Sequence, residues 1–487
     1  RDGRTIVYER HFQLWKTDTD TGRSERIPVS IQAANPHPQR THTKLSSVQE
    51  YALSPDGKKL AFVMHGEIFV TDAKAKTAIH RVTRTHWREY SVTWDADSRH
   101  LLYLTERGKG FALVKRYPFS KKETQLVQSK TPLYFPTVSG DGQFIAYVKG
   151  KTDIMLLEKG KQPKLLAKTQ HGGFMGWTLK WAPDHRWLMS IELDRGRGDI
   201  WLHHVDGKRS HKLTQTAAHD ADGALSHDGK FLFYRSNPHG SDWFTRVGGD
   251  DLKLLPLKAM KRPFSEDRLE KLFKVKGKKK KTAKATSKKK KKASTKPATK
   301  TAKKKKKASK KTSKKKKTVK MVIDTFDILE RTKTLTRLKG DERYPKPSPK
   351  GKRLLFFANT SGVVQIWMAS FHAKKARISG AKPIALGLRF RHLWGDHGLR
   401  WASDGKAAYV LHRGKVVRIA IPSGKIQRLR LTTQIEIDHQ QQRQQKFREL
   451  WLTMRDQFYD RGMSGLNWKQ VYKRYLPAVQ QVQTDKN

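Results

Sequence analysis

The sequence lacks cysteine altogether and is poor in acidic residues, with 44 Asp and Glu against 103 Lys and Arg. Without cysteine, a disulfide scaffold, thiol catalysis and cysteine-ligated zinc are all excluded. No run of about 18 apolar residues occurs, so the sequence predicts no membrane span. The net charge of +59 favours anionic partners such as nucleic acid, anionic membranes, acidic polymers or peptide carboxylates, without choosing among them.

The first residues of the chain read as the middle of a strand-and-turn pattern. The chain opens at Arg1 without an initiator methionine or a signal peptide. An Asp-Gly turn is followed by two short apolar stretches, 5–8 and 12–15. We interpret residues 1–30 as the truncated last blade of an upstream propeller, and we expect the chain to be a piece of a longer protein.

A short turn motif recurs seven times along the chain. Each copy has an apolar or aromatic residue, a small residue, Pro or another small residue, then in most copies Asp, Gly and a basic residue. From Asp56 the next four steps are 41, 44, 43 and 44 residues. Proline presets φ in such a turn, Asp caps it and Gly accepts positive φ. The copies begin at Leu53, Trp94, Val138, Trp181, Leu225, Pro347 and Trp401.

Alternating apolar residues follow each turn and predict pairs of strands, as at 60–63 and 68–70. An all-strand repeat of roughly 40–45 residues is the signature of a β-propeller. We therefore predict a mainly β fold in which residues 45–431 form a seven-bladed β-propeller with TolB/WD40-like repeats. A β-sandwich with accidental similarity is the alternative, and the regular spacing argues against it.

Residues 274–320 hold 26 lysines and no acidic residue, which leaves a net charge of +33 on the rest of the chain. Such a stretch cannot bury enough apolar surface to offset its ordering entropy, so we predict a disordered Lys-rich insertion within blade six. One interpretation is polyanion binding through counterion release. The other is a solvated loop expansion without a dedicated partner, and the absence of interleaved aromatic residues argues against base stacking.

After Leu431 the pattern changes from strand to helix. The apolar residues Phe447, Leu450, Trp451, Met454 and Phe458 fall at helical spacing, and a second apolar stripe follows from residue 468. Residues 437–487 are too few for a confident core of their own. They predict the start of a helical domain that continues past Asn487.

This C-terminal stretch resembles the opening of the helical domain in tricorn-type serine peptidases. Residues 447–451 read Phe-Arg-Glu-Leu-Trp and residues 454–460 read Met-Arg-Asp-Gln-Phe-Tyr-Asp. Residues 462–468 read Gly-Met-Ser-Gly-Leu-Asn-Trp, with Tyr472 and Tyr475 beyond them. The family pattern there is Trp, Arg-Asp-x-Phe-Tyr-Asp, Met-x-Gly-x-x-Trp and a spaced Tyr. Residues 323–331 are also similar to a strand late in the family's large propeller, which often follows a charged low-complexity loop.

The resemblance covers nearly the whole chain and implies a domain order: the end of a six-bladed propeller, a seven-bladed propeller, and the first helices of the peptidase core. It implies a serine-type peptidase whose catalytic residues lie beyond Asn487. We predict no catalytic, cofactor-binding or metal-binding residue within this chain. The family further implies peptide substrates, a propeller that gates their passage, a homo-oligomer such as the family's hexamers, and a cytoplasmic location.

Three groups of residues are candidate sites within the chain. The richest cluster of metal-ligand types is His203, His204, His211, His219, Asp220 and Asp222. Because neighbouring strand residues point to opposite faces, His203 and His204 cannot easily share a metal, and we interpret the cluster as surface polar residues, with His219 and Asp222 in a turn. Gly196 and Gly198 are predicted hairpin residues rather than a phosphate loop. Five arginines are candidates for lining a propeller channel, although surface charge that aids solubility is the favoured interpretation of each one: Arg195, Arg197, Arg389, Arg391 and Arg400.

Two other functions remain open at this point. The first is a non-enzymatic propeller scaffold that binds proteins or polyanions through its basic surface and its Lys-rich loop. The second is a TolB-like periplasmic partner protein, against which the C-terminal helices argue.

Overall fold

The computed structural model describes residues 3–10, 13–29, 38–108, 110–169, 179–194, 197–239, 249–259, 319–360, 362–392, 395–460 and 462–482. Three strands near the N-terminus form a separate antiparallel sheet in the order β1-β2-β3. A fourth strand precedes the large domain. These strands are β1 (Thr5–Arg10), β2 (Gln13–Asp18), β3 (Ser24–Arg26) and β4 (Arg40–Leu45).

Seven antiparallel sheets of four strands follow, and the strands of each sheet lie side by side in chain order. We number them blades 1 to 7. Blade 1 is β5 (Glu50–Leu53), β6 (Lys59–Met64), β7 (Glu67–Asp72) and β8 (His80–Arg81); blade 2 is β9 (Glu89–Trp94), β10 (Leu101–Arg107), β11 (Gly110–Arg116) and β12 (Glu123–Ser129); blade 3 is β13 (Leu133–Val138), β14 (Phe144–Lys149), β15 (Asp153–Glu158) and β16 (Lys164–Lys168); blade 4 is β17 (Lys180–Trp181), β18 (Trp187–Asp194), β19 (Arg197–His204) and β20 (Ser210–Lys212). Blade 5 is β21 (His219–Leu225), β22 (Phe231–Asn237), β23 (Asp251–Pro256) and β24 (Lys333–Thr334); blade 6 is β25 (Asp341–Pro347), β26 (Arg353–Asn359), β27 (Val364–His372) and β28 (Arg377–Ile384); blade 7 is β29 (Arg400–Trp401), β30 (Ala407–His412), β31 (Lys415–Ala420) and β32 (Ile426–Arg428).

The repeated turn motif joins the first and second strands of every blade. In blade 1 the Ser54 hydroxyl donates to the Asp56 carboxylate at 2.5 Å, and Gly57 takes a φ of +70° that favours glycine. The same serine-to-aspartate bond recurs at Ser139 and Ser226 at 2.6 Å. The motif therefore fixes a tight turn whose geometry repeats from blade to blade.

The blades close into a ring. Among the described residues, one apolar cluster fills each junction between neighbouring blades, including the junction between blade 7 and blade 1. At that last junction the Tyr409 hydroxyl of blade 7 donates to the Ala73 carbonyl of blade 1 at 2.9 Å. Closure leaves no blade with an apolar face open to water, which is how a propeller stabilises its sheets. The prediction of a mainly β seven-bladed propeller is confirmed.

The chain returns to its beginning after blade 7. Strand β33 (Thr433–Asp438) pairs antiparallel with β4, and Ile435 and Ile437 are buried in the cluster between blades 7 and 1. Two helices follow: α1 (His439–Gln457) and α2 (Trp468–Gln481). The sequence-based change from strand to helix after Leu431 was therefore placed too early, because residues 433–438 find their partner strand almost 400 positions upstream.

Residues 274–318 of the Lys-rich stretch 274–320 lie outside the described residues. The strands on either side of it, β23 and β24, pair with each other in blade 5. The insertion thus interrupts the fifth blade, and its assignment to blade six is wrong. The stretch 323–331, interpreted as a strand, instead ends in a single 3-10 turn at Leu329–Arg331.

No helix among the described residues combines the length and the apolar character that crossing a membrane requires.

Candidate functional site

The first strands of the blades surround the propeller axis. Strand β5 contacts β9, β9 contacts β13, β13 contacts β17, and β21 contacts β25. Tryptophan side chains tie these inner strands together: the Nε1 of Trp94, Trp181 and Trp401 donates to the carbonyl of the inner strand one blade back, at Ala52 (3.1 Å), Thr137 (3.2 Å) and Lys346 (2.8 Å). In these three pairs the carbonyl of the residue just before the turn motif links its inner strand to the next blade.

Three cations occupy that one repeat position and form what we call the inner cation group: Lys180 in blade 4, Lys346 in blade 6 and Arg400 in blade 7. The Lys346 ammonium lies 2.5 Å from the Asp396 carboxylate, and the Lys180 ammonium donates to the Gly223 carbonyl at 2.7 Å. Asp396 comes from the segment that leads into blade 7. The group brings together cations from three blades, and the carboxylates of Asp396 and Asp222 act on it.

The charges of this group act on one another. Burial, followed by the positive charge of Lys346, lowers the pKa of Lys180 to about 7. Burial works to raise the pKa of Asp396, but Lys346 and Arg400 outweigh it and hold that pKa well below its usual range. On the blade 1 side, burial raises the pKa of Glu50 to about 7, although the Ser91 backbone N–H and nearby arginines favour its charged form. The inner strands thus carry both basic and acidic groups, and these groups shift one another's pKa values.

The five arginines proposed from the sequence differ in their positions in the structure. Arg400 lies on the first strand of blade 7 and acts electrostatically on Glu50 and Lys180, and its place as a channel residue stays a prediction. Arg389 and Arg391 are exposed in the segment before blade 7, and Arg197 is exposed at the start of a third strand. Arg195 lies outside the described residues. Sequence reasoning missed Lys180 and Lys346, although aligning the repeats places both at the position of Arg400.

The histidine and aspartate cluster of blades 4 and 5 is not a surface feature. His203 is 3 % exposed and lies between the hydroxyls of Ser190 and Ser210, each 2.9 Å away. Burial lowers the pKa of His203 to about 4, which keeps the ring neutral. Ser190 is itself enclosed at 1 % exposure, so no substrate carbonyl can reach it. The arrangement is a satisfied core network.

The other members of that cluster also have structural partners. His219 begins strand β21 rather than a turn, and its Nδ1 accepts from the Gly198 N–H at 2.8 Å. Gly198 itself lies within β19, and Gly196 lies outside the described residues. Asp220 accepts from Thr216 at 2.8 Å, and Asp222 pairs with Arg235 at 3.0 Å. The interpretation as surface residues is wrong for His203, His219 and Asp220 because the strands of the propeller carry them inward.

One group of three metal-ligand atoms lies close together among the described residues, at Asp95, Asp97 and His100. The group sits in the turn of blade 2, where Lys115 pairs with Asp95. The His100 Nδ1 lies 2.6 Å from Asp97. These ion pairs account for the cluster within the protein.

The C-terminal helices are joined to the propeller by a buried ion pair. Glu106, at the end of the second strand of blade 2, receives hydrogen bonds from Arg448 Nε (2.7 Å) and Gln445 Nε2 (2.6 Å) of α1. Leu452 inserts into the apolar cluster between blades 2 and 3. Helix α2 then packs on α1, where the ring nitrogens of Trp451 and Trp468 each donate to the other residue's carbonyl, at 2.8 and 3.0 Å.

We expect the substitution Arg448→Met to release α1 from blade 2. It leaves the Glu106 carboxylate buried with only an amide partner, which costs about 2–5 kcal/mol. In hydrogen exchange, the amides of 439–457 should open at least about 30-fold more often, while the protected strands of blade 5 stay unchanged. Arg474→Met, on the exposed side of α2, is the control and should leave these rates as they are. Equal rates in both variants would contradict the role given to Arg448.

Together these features define the class of this chain: a closed seven-bladed propeller with a helical segment anchored on blades 2 and 3. Residues 439–487 match the family model described as tricorn protease C1 domain. The whole chain superimposes on the crystal structure of the tricorn protease with a TM-score of 0.67 at 15 % identity, covering 100 % of this chain and 44 % of that one. The recognition of a tricorn-type chain from its sequence is confirmed, and the chain spans less than half the length of the tricorn protease.

Two other solved structures match more weakly. A putative TolB from Agrobacterium tumefaciens matches at a TM-score of 0.35 and 13 % identity, over 63 % of this chain and 83 % of that one. Hydrazine synthase of Kuenenia stuttgartiensis matches at 0.46 and 12 % identity, over 81 % and 100 %. No curated protein sequence matches the chain.

Proposed function

We propose that this chain is the non-catalytic propeller portion of a tricorn-like serine peptidase that degrades peptides, and that the propeller gates the passage of substrate or product. The observation that carries the proposal is the C1 match at residues 439–487, on helices docked against a propeller that has the tricorn fold. In this proposal the nucleophilic serine and its partners lie beyond Asn487. The protein acts as a homo-oligomer in the cytoplasm, without a cofactor or metal.

The inner cation group gives the gate a chemical character. Asp396 pairs with Lys346, so the positive charge of the group comes from Arg400 and from the protonated form of Lys180, whose pKa burial lowers to about 7. A positive field in a narrow, low-dielectric passage raises the local concentration of anions. Peptides with a free C-terminal carboxylate are the substrates that such a passage favours.

The proposal is tested by comparing the complete gene product with the 487-residue chain on short fluorogenic peptides. We expect hydrolysis by the complete protein only, and its loss after treatment with a serine-reactive organophosphate. Hydrolysis by the 487-residue chain would place a catalytic site among the residues described above. If the complete protein is folded but hydrolyses none of the peptides, the scaffold function is favoured.

We expect Arg400→Glu to change which peptides the complete protein hydrolyses. Reversing this charge should lower kcat/KM about three- to tenfold for peptides with a free C-terminal carboxylate, because their steering weakens. Peptides with an amidated C-terminus should be hydrolysed as before. Arg428→Glu is the matched control, since Arg428 is exposed on the outer strand of the same blade. An equal effect of both variants, or no selectivity between the peptides, would argue against the gate.

The high positive charge supports a second function, a propeller scaffold that binds polyanions through the Lys-rich stretch 274–320. Binding by counterion release weakens steeply as salt rises. Deleting 274–320 should lower the salt concentration that elutes the protein from a heparin column if the stretch is the binding arm, although the basic remainder of the chain still binds. Unchanged retention would leave the loop without this role.

A further inference from the structure

A cleft of about 350 Å³ opens where the propeller, strand β33 and helix α1 meet. Its walls are the blade 1 to blade 2 loop with Trp87 and Arg88, the strand residues Ile435 to Asp438, and Gln445 of α1. Side chains of a strand alternate between its two faces. Four consecutive residues of β33 can all line one cleft only if the cleft borders the edge of the strand, and β4, its partner, takes no part in the lining.

The backbone of β33 faces the cleft with unused hydrogen-bonding groups. The His439 N–H donates to the Gln39 carbonyl at 2.8 Å, in the register in which Asp438 lies opposite Arg40. In an antiparallel ladder, hydrogen-bonded and non-hydrogen-bonded pairs alternate. The odd-numbered residues of β33 therefore bond to β4, and the N–H and C=O of Glu436 point to the other edge. Among the described residues they make no backbone hydrogen bond outside the ladder.

A second group in the cleft also lacks a partner. Gln445 is 6 % exposed, and its Nε2 is engaged by Glu106 and Glu449 at 2.6 and 3.0 Å. Its Oε1 is buried without a hydrogen-bond partner among the described residues. A buried acceptor without a hydrogen bond costs about 1–3 kcal/mol, so a ligand that donates a hydrogen bond to Oε1 is favoured in the cleft.

The charges of the cleft largely cancel. Glu449 lies 3.4 Å from Arg88, and Glu436 lies 3.4 Å from Arg40. The His86 and Trp87 rings contact each other at 4.2 Å and form an aromatic wall. A ligand would thus be recognised through backbone-type donors and acceptors rather than through its charge.

From this geometry we propose that the cleft binds an extended peptide, which adds as a third strand to the free edge of β33. The peptide backbone pairs with Glu436, one of its N–H groups donates to Gln445 Oε1, and one side chain rests on the Trp87 ring. Recognition by strand addition takes its affinity from main-chain hydrogen bonds and is therefore tolerant of peptide sequence. The proposal does not require that the peptide be cleaved.

The first test uses the peptide and leaves the protein unchanged. Binding of a fluorescein-labelled hexapeptide of alternating threonine and valine is measured by anisotropy with the 487-residue chain. The same peptide with every internal backbone nitrogen methylated keeps its side chains but has no internal N–H to donate along either edge, so it cannot pair as a strand. We expect the methylated peptide to bind at least about tenfold more weakly, since each lost bond contributes a net 0.5–1.5 kcal/mol.

The second test uses a matched pair of variants at one exposed position. Glu436→Pro removes the N–H at the free edge, and proline is tolerated on edge strands because the ladder to β4 does not use that N–H. Glu436→Ala keeps the N–H and removes only the carboxylate that pairs with Arg40. We expect Glu436→Pro to weaken binding about tenfold or more and Glu436→Ala to bind like the parent. Circular dichroism confirms that both variants keep the fold.

Three results would overturn the proposal: no binding up to about 1 mM peptide, equal affinity for the methylated peptide, or equal affinity of the two Glu436 variants. These results concern the cleft alone. If the complete protein hydrolyses peptides but the cleft binds none, the proposed function stands and the peptide site is refuted. If the cleft binds peptide but the complete protein hydrolyses none, the peptide site stands and the proposed function is refuted.

Discussion

Replacing Asp250 by asparagine is expected to cost the propeller about 3–5 kcal/mol of its free energy of unfolding. Asp250 is fully buried between blades 5 and 6, where its carboxylate contacts two arginines: Arg235 Nη1 at 3.2 Å and Arg343 Nε. The two guanidinium groups, each 9 % exposed, share this one anion across the blade junction. An asparagine of the same size keeps the shape but removes the charge that links the two guanidinium groups, and its amide NH2 can only donate where the arginines also donate.

Urea unfolding followed by tryptophan fluorescence measures the loss. The control is Glu158→Gln, which removes an exposed ion pair with Lys161 at 2.9 Å and should change stability by no more than about 1 kcal/mol. A cost below about 1 kcal/mol for Asp250→Asn would show that the neighbouring Asp222 and Asp341 suffice for the arginines. A loss of about 3–5 kcal/mol would show that the charges at this junction stabilise the ring together with its apolar clusters.

The propeller could be predicted from the sequence because its information is local. Each turn motif forces a hairpin by its own φ requirements and hydrogen bonds, as at Ser54, Asp56 and Gly57. Seven copies, the first five at near-constant spacing, count the blades. The two helices could be predicted for the same reason, since their apolar stripes and the caps at Asp438 and Asn467 are local signals.

The errors concern pairings between distant segments. Nothing local in Lys333–Thr334 indicates that these residues complete blade 5 across the Lys-rich stretch, so the insertion was assigned to the wrong blade. The strand β33 was missed because its partner, β4, lies before blade 1. Periodicity gives elements and their order, whereas the partner of an isolated strand is decided by the closure of the ring.

The candidate site was found only in part. Arg400 was proposed as a channel residue, but Lys180 and Lys346 were not, because composition alone does not distinguish one lysine from another in so basic a chain. The signal that was available is their repeat position, which aligning the turn motifs shows to be the position of Arg400. The buried histidines illustrate the opposite error: polar residues were expected at the surface, whereas His203 and His219 satisfy their hydrogen bonds inside the sheets.

Glu342 is expected to make the propeller lose stability as pH rises from about 4.5 to about 8. Its side chain is fully buried at the start of blade 6, and burial raises its pKa to about 8. Nearby Asp251 and Asp341 act in the same direction, while the Thr336 hydroxyl, 2.7 Å away, favours the charged form. The other oxygen, Oε1, is buried without a partner among the described residues, which suits a protonated carboxyl.

The sign follows from proton binding. Between the unfolded and folded pKa values the folded protein holds one proton more than the unfolded chain, so raising the pH favours unfolding. The stability that this carboxyl contributes is fully present below the unfolded pKa and is lost as pH rises through the folded one. Glutamine has no such proton. Glu342→Gln should therefore match the parent at pH 4, and above pH 8 it should be more stable by about 3–5 kcal/mol, at roughly 1.36 kcal/mol per pKa unit.

Urea unfolding of the parent and of Glu342→Gln, carried out between pH 4 and 9, measures the difference. Glu330→Gln, at an exposed position just before blade 5 is completed, is the control, and its stability curve should stay parallel to that of the parent. Parallel curves for Glu342→Gln as well would mean that the Thr336 hydroxyl and the Leu338 backbone stabilise the charged form enough to cancel burial. Divergence of the Glu342→Gln curve from that of the parent would show that Glu342 is protonated in the folded protein at neutral pH. Its contribution to the free energy of unfolding would then increase as the pH falls.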